Sequence, residues 1–127
     1  MKFKIDTREK FHVIHIQEPE LSANMTADLE NSLLSLLKQD VKNVVVILKD
    51  IQSIDDAAAD KLISLQQYFY EHESSFVVCE LQQQVETSLD EKGLLELLNV
   101  TPTESEAWDI VQMEEIEREL LGGEEGL

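Results

Sequence analysis

The chain is poor in glycine, cysteine, proline and positive charge, and each shortage removes a class of function. Of its 127 residues only four are glycine, and all four lie at position 93 or later. The first ninety residues therefore hold neither a Walker A loop nor a dinucleotide fingerprint, both of which need glycines to let backbone approach a phosphate. A single cysteine, Cys79, excludes an internal disulfide and any zinc site built on several cysteines of one chain. Ten lysines and arginines face 27 aspartates and glutamates, a formal net charge of -17. Such a surface repels nucleic acid, whose affinity comes from cations that neutralise phosphates. It equally repels anionic membrane surfaces and suits a partner with a basic patch. No apolar run approaches the roughly 20 residues of a membrane span, and nothing apolar follows the basic start Met1-Lys-Phe-Lys as a signal peptide would require. The expectation is one cytoplasmic domain over residues 1–120, with no cofactor, no metal and no direct membrane insertion.

Hydrophobic residues make up 43% of the chain, enough for a core. Phe3 and Ile5 alternate with Lys2, Lys4 and Asp6, and Phe11-His-Val-Ile-His-Ile16 follows a polar turn, so residues 2–17 read as an antiparallel hairpin. Met25, Leu29, Leu33, Leu36 and Leu37 place one apolar face on a helix over about 24–38. Val44 to Leu48 is apolar without alternation, the pattern of a strand covered on both faces, as in a parallel sheet. Ala58, Leu62, Leu65 and Phe69 mark a helix over about 57–72, and Phe76-Val-Val-Cys-Glu-Leu81 another buried strand. A short helix over 84–92 stops near Gly93, and Leu94 to Leu98 form an apolar turn. Thr103-Glu-Ser-Glu106 fits a capping box. It opens a last helix over about 104–120, with Ala107, Trp108, Val111, Ile116 and Leu120 as its apolar positions. That helix is strongly acidic. Residues 121–127 read as a disordered acidic tail.

The central feature is Ile51-Gln-Ser-Ile-Asp-Asp-Ala-Ala-Ala-Asp60, directly after the buried strand. In open α/β sheets this strand-to-helix junction is where ligands and partners meet the protein. Asp50, Asp55 and Asp56 could hold magnesium or accept a phosphoryl group, but the acidic pair after the first strand and the lysine after a late strand that a receiver domain needs are not in place. The local reading of Asp55-Asp56 is a helix cap, which satisfies free N–H groups and the positive end of the helix dipole. His12 and His15, three apart on a strand, point to opposite faces and cannot share a metal. His72 closes a helix, and Cys79 reads as a small core residue. No nucleophile is paired with a base, and the chain is not expected to be an enzyme.

The order hairpin, helix, strand, helix, strand, helix, helix resembles a STAS domain, the fold of bacterial anti-sigma-factor antagonists. Leu48, Ile51, Ile54 and Asp55 match the end of the central strand and its turn. Leu62 and Leu65 match the next helix, Phe76 to Leu81 the next strand, and Val85, Leu89, Gly93-Leu94, Val100 and Glu106-Ala107 the closing pattern. The resemblance implies an α/β fold with a mixed sheet of about four strands, an N-terminal hairpin and a helical C-terminus. It also implies a non-catalytic role in signalling and transcription regulation. In the antagonists the turn reads roughly Asp-Ser-Ser-Gly-Leu, and a partner anti-sigma factor phosphorylates the first serine. Here the same positions are Asp55-Asp56-Ala57-Ala58-Ala59, so Asp56 takes the phosphoacceptor position and Ala58 the glycine. The earlier acidic position of the family is Ile47. A carboxylate carries one negative charge where a phosphate carries roughly −1.5 to −2, which makes Asp56 a partial, permanent mimic of the phosphorylated state. Ala58 stiffens the helix start by about 1 kcal/mol relative to glycine. Ser53 is an alternative acceptor outside the aligned position. The expected partner surface is Ser53, Asp55, Asp56, Asp60, Lys61 and Ser64, facing an anti-sigma factor or switch kinase. The alternative is an accessory STAS subunit of a lipid-transport ATPase.

Overall fold

In the computed structural model, residues 1–125 are described, with side chains through Leu121. Strands β1 (Phe3–Thr7) and β2 (Phe11–Ile16) form the expected hairpin, antiparallel with Ile5 opposite Ile14. A two-residue strand β3 (Glu20–Leu21) and a single 3-10 turn at Ala23–Met25 lead into helix α1 (Thr26–Leu36). Strand β4 (Asn43–Ile47) follows, then β5 (Ser53–Ile54), helix α2 (Asp56–Glu71) and β6 (Phe76–Cys79). Helix α3 (Gln83–Glu91), a 3-10 turn at Leu95–Leu97, strand β7 (Val100–Thr101) and helix α4 (Glu104–Glu125) complete the chain.

The main sheet has five strands in the order β1-β2-β4-β6-β7, one more than the sequence pattern indicates, and β3 pairs with β5 in a separate ladder. Beyond the hairpin every pairing is parallel: Val45 lies opposite Val13 and Val77, and Cys79 opposite Thr101. The unbroken apolar runs of β4 and β6 have a simple cause, because both faces of the sheet are covered. Ile14, Val44, Val46, Phe76 and Val78 point to one side, where Leu29 and Leu33 of α1, Leu62 and Phe69 of α2, and Val85 and Leu89 of α3 meet them. Phe11, Val13, Val45, Ile47, Val77 and Cys79 point to the other, where α4 covers them with Ala107 and Val111. Trp108 stacks on Phe11 with ring centroids 4.9 Å apart.

α4 departs from expectation in two ways. It continues as helix to Glu125, so the region expected as tail from 121 begins helical; residues 126–127 lie outside the described residues. Leu120 and Leu121 are good helix formers and extend the ladder of backbone bonds. Its apolar residues also divide between two sides. Ala107 and Val111 are buried, whereas Ile116 and Leu120 are 56% and 65% exposed and do not belong to the core.

At its far end the core is closed by a polar knot around Asn43, which is buried at the start of β4. Asn43 Nδ2 donates to the Lys10 carbonyl at 3.0 Å and to the Glu115 carboxylate at 2.6 Å. Its Oδ1 accepts from the Ser75 N–H at 2.8 Å and from the Arg118 guanidinium at 3.2 Å. The two histidines on β2 do face opposite ways. His12 is fully buried between the Thr7 hydroxyl at 2.9 Å and the Val41 carbonyl at 2.7 Å, and His15 reaches Asp50 at 2.9 Å. Burial, with Glu80 and Glu104 nearby, pushes the Cys79 thiol up to about 12, as befits a core residue.

Candidate functional site

The site lies where β4 ends. Leu48 N–H donates to the Cys79 carbonyl at 3.1 Å, and the chain then turns away from the sheet. Gln52 N–H donates to the Pro19 carbonyl at 2.6 Å, and Asp55 N–H donates to the Leu21 carbonyl at 3.1 Å. Between them β5 lies parallel to β3, with Ser53 opposite Glu20 and Ile54 opposite Leu21. Ile51 and Ile54 are buried beneath this segment, which leaves Gln52 and Ser53 on the outside. Gln82, just before α3, donates from Nε2 to the Lys49 carbonyl at 2.8 Å and holds the turn from its other flank.

Asp55 is the N-cap of α2. Its Oδ1 accepts from the Ala58 N–H at 2.8 Å, and its Oδ2 accepts from the Ala23 N–H at 3.1 Å. One carboxylate thus serves two chain segments: it caps α2 and also holds the entry to α1. Asp55→Ala is expected to lower stability by about 2 kcal/mol, the upper end for loss of a cap, because the second bond goes with it. Asp55→Asn, which keeps one acceptor oxygen, is expected to lose about half as much. Urea unfolding of the three chains measures both.

Asp56 occupies the first position of the helix, 70% exposed, and accepts a charge-assisted bond from Lys92 Nζ at 2.5 Å. Lys92 lies immediately after α3, before Gly93, whose φ of 70° turns the chain back. The sequence reading missed Lys92. The available signal was its isolation, since it is the only lysine or arginine between Lys61 and Arg118. Both groups are exposed, so the pair adds little to stability. Its effect is on charge, because it places a cation against the carboxylate that opens α2.

The other expected site residues divide. Asp60 and Ser64 follow Asp56 at intervals of four, so the three form one exposed line along α2. Lys61 turns away from that line and pairs with Glu30 of α1 at 2.8 Å. Ser53 borders a notch of about 110 Å³ between the turn and α3, lined also by Gln52, Ile54, Gln84, Val85, Ser88 and Leu89. No titratable group lines that notch, so nothing in it activates the Ser53 hydroxyl. Among the described residues no three His, Cys, Asp or Glu side chains gather as a metal site, and no helix is long and apolar enough to cross a membrane.

Five strands with helices on both faces and a parallel centre form a fold shared with proteins of known structure. The STAS domain model matches residues 2–107. The chain belongs to the STAS domain family. A candidate anti-sigma factor antagonist from Thermotoga maritima superposes with a TM-score of 0.72 at 17% identity, over 87% of this chain and 94% of that one. The anti-sigma factor antagonist SpoIIAA in its unphosphorylated form gives a TM-score of 0.68 at 14% identity, over 87% and 96%. The Bacillus cell fate determinant SpoIIAA in its phosphorylated form gives 0.62 at 13% identity, over 87% and 99%. At these identities the superpositions establish the fold. A search of curated protein sequences finds no significant match. The STAS match ends at Ala107, so most of α4 lies beyond it.

Proposed function

We propose that this STAS domain is a non-catalytic regulatory module that binds a protein partner through the turn 50–56 and the outer line of α2. In this reading it resembles the anti-sigma-factor antagonists in fold and docking surface but lacks their phosphorylatable serine. Asp56 stands in that position, and Asp55 keeps the aspartate before it. The observation that carries the reading is the pairing of an exposed Asp56 at the helix start with a rigid, capped backbone. SpoIIAA, which shares the fold, is described in unphosphorylated and phosphorylated forms. A chain with a fixed carboxylate at this place has no second form to switch to. Its negative charge, with Lys92 beside it, stays constant.

The partner is an anti-sigma factor or a switch kinase with a basic docking surface, met in the cytoplasm. Glu20, Asp50, Asp56 and Asp60 are all exposed around the turn, which favours cationic complements. Binding requires no ATP, because no phosphoryl transfer intervenes.

The test is a tagged pull-down from native cells with mass spectrometry, followed by affinity measurement on the purified partner. Asp56→Lys is expected to weaken binding at least tenfold. Asp56→Ser is expected to restore sensitivity to ATP when the partner is a kinase. Equal affinity for the native and Asp56→Lys chains would overturn the reading. Recovery of a membrane transport ATPase in place of a kinase would favour the accessory-subunit role instead.

A further inference from the structure

Helix α4 carries a second apolar face that the domain does not use. Ala107, Val111, Glu115 and Arg118 form the line that meets the sheet, at spacings of four, four and three. Met113, Ile116 and Leu120 form another line at spacings of three and four, and at 3.6 residues per turn its centre lies roughly 180° round the helix from the first. Met113, Ile116, Leu120 and the adjoining Leu121 are 60%, 56%, 65% and 60% exposed. Single exposed leucines are ordinary, but the three large apolar side chains of this line leave on the order of 300 Å² uncovered, a size at which a surface patch commonly marks an interaction site. Arg118 bonds to Asn43 and to the Ser75 hydroxyl, at the level where β4 and β6 begin. The helix runs 125 − 118 = 7 residues further. At 1.5 Å per residue that is roughly 10 Å of helix beyond Arg118.

Charge and area together select the occupant. Glu117 and Glu119 flank the apolar line on its two sides and Asp109 precedes it by one turn, all exposed. Among the described residues none of the three forms an ion pair. A second copy would bring the same acids and another net charge of -17 against them. It would also bury less than half of the roughly 800 Å² per partner that stable association needs. A groove with an apolar floor and a cationic rim answers both features, which is how amphipathic helices are commonly received.

We propose that the outer face of α4, centred on Met113, Ile116 and Leu120, docks in a basic-rimmed apolar groove of a different protein. This surface lies on the face of the sheet opposite α2 and is independent of the Asp56 turn.

A photo-crosslinking amino acid at Leu120 of the full chain, with a control at Ser35, tests this in native cells. The adduct specific to position 120 is identified, and its binding to the native chain is then measured with purified components. Ile116→Glu with Leu120→Glu, and separately Glu117→Lys with Glu119→Lys, are each expected to weaken binding at least tenfold. Raising the salt is expected to weaken it too, and Asp56→Lys to leave it unchanged. All of these positions are exposed, and unaltered circular dichroism and melting temperature confirm that the variants fold. Absence of a position-specific adduct, an adduct only with a second copy, or affinity indifferent to both salt and the Lys substitutions overturns the proposal. Loss of binding with Asp56→Lys overturns the independence of the two surfaces.

Discussion

Replacing Asn43 by alanine is expected to destabilise the domain by about 3 kcal/mol, far more than the size of the side chain suggests. The amide uses both donors and both acceptor sites, tying together three segments: the turn before β2, the entry to β6, and two positions of α4. Alanine leaves the Ser75 N–H, which is fully buried, without an acceptor. It also removes the neutral group that separates Glu115 from Arg118 at the mouth of the core. Asn43→Asp tests the geometry more sharply. It keeps the shape and the acceptors but loses both donors, and it sets a carboxylate against Glu115. A similar or larger loss is expected. Equilibrium urea unfolding at neutral pH reads both variants. A loss below 1 kcal/mol would mean that water replaces the amide at this position.

Removing α4 is expected to have the largest effect of all. A chain ending at Thr103 bares Phe11, Val13, Val45, Ile47, Val77 and Cys79, an entire face of the sheet. Burying a single valine contributes about 1.5–3 kcal/mol, so losing the cover of these side chains removes at least 5 kcal/mol, comparable with the whole stability of a domain this size. The expected product retains some helix by circular dichroism, binds hydrophobic dyes and melts without a cooperative transition. Sharp two-state unfolding of the shortened chain would show instead that α4 is an appendage. The helix is thus structural along one side while its other side stays free.

The central strands were legible because covering a sheet on both faces writes continuous apolar runs into β4 and β6. The amphipathic faces of α1 and α2 were legible for the converse reason, since each meets the core along one line. β3, β5 and β7 were not. Two residues cannot display a period, and these strands exist because the folded chain brings Glu20–Leu21 beside Ser53–Ile54, and Val100–Thr101 beside Cys79. In α4 the apolar residues do not form one stripe. Val111 and Ile116 are five positions apart, 500° of helical rotation, or 140° after a full turn, so one reading joined two opposed sides. At the turn, the cap by Asp55 followed from local chemistry. Its bond to Ala23 and the pairing of Asp56 with Lys92 depend on segments more than thirty residues away in sequence, and no local pattern announces them.

The turn after β4 is fastened at Pro19, Leu21 and Ala23 on one side and by Gln82 on the other. That fastening has a kinetic consequence. If the proposed partner docks there, it meets a surface held in place by these bonds, and no slow rearrangement is expected before contact. Association is then governed by diffusion and by the acidic field of the chain, and it slows as salt screens that field. Differences in affinity among variants of equal charge are then carried mainly by how long the complex lasts, whereas charge changes such as Asp56→Lys also slow its formation.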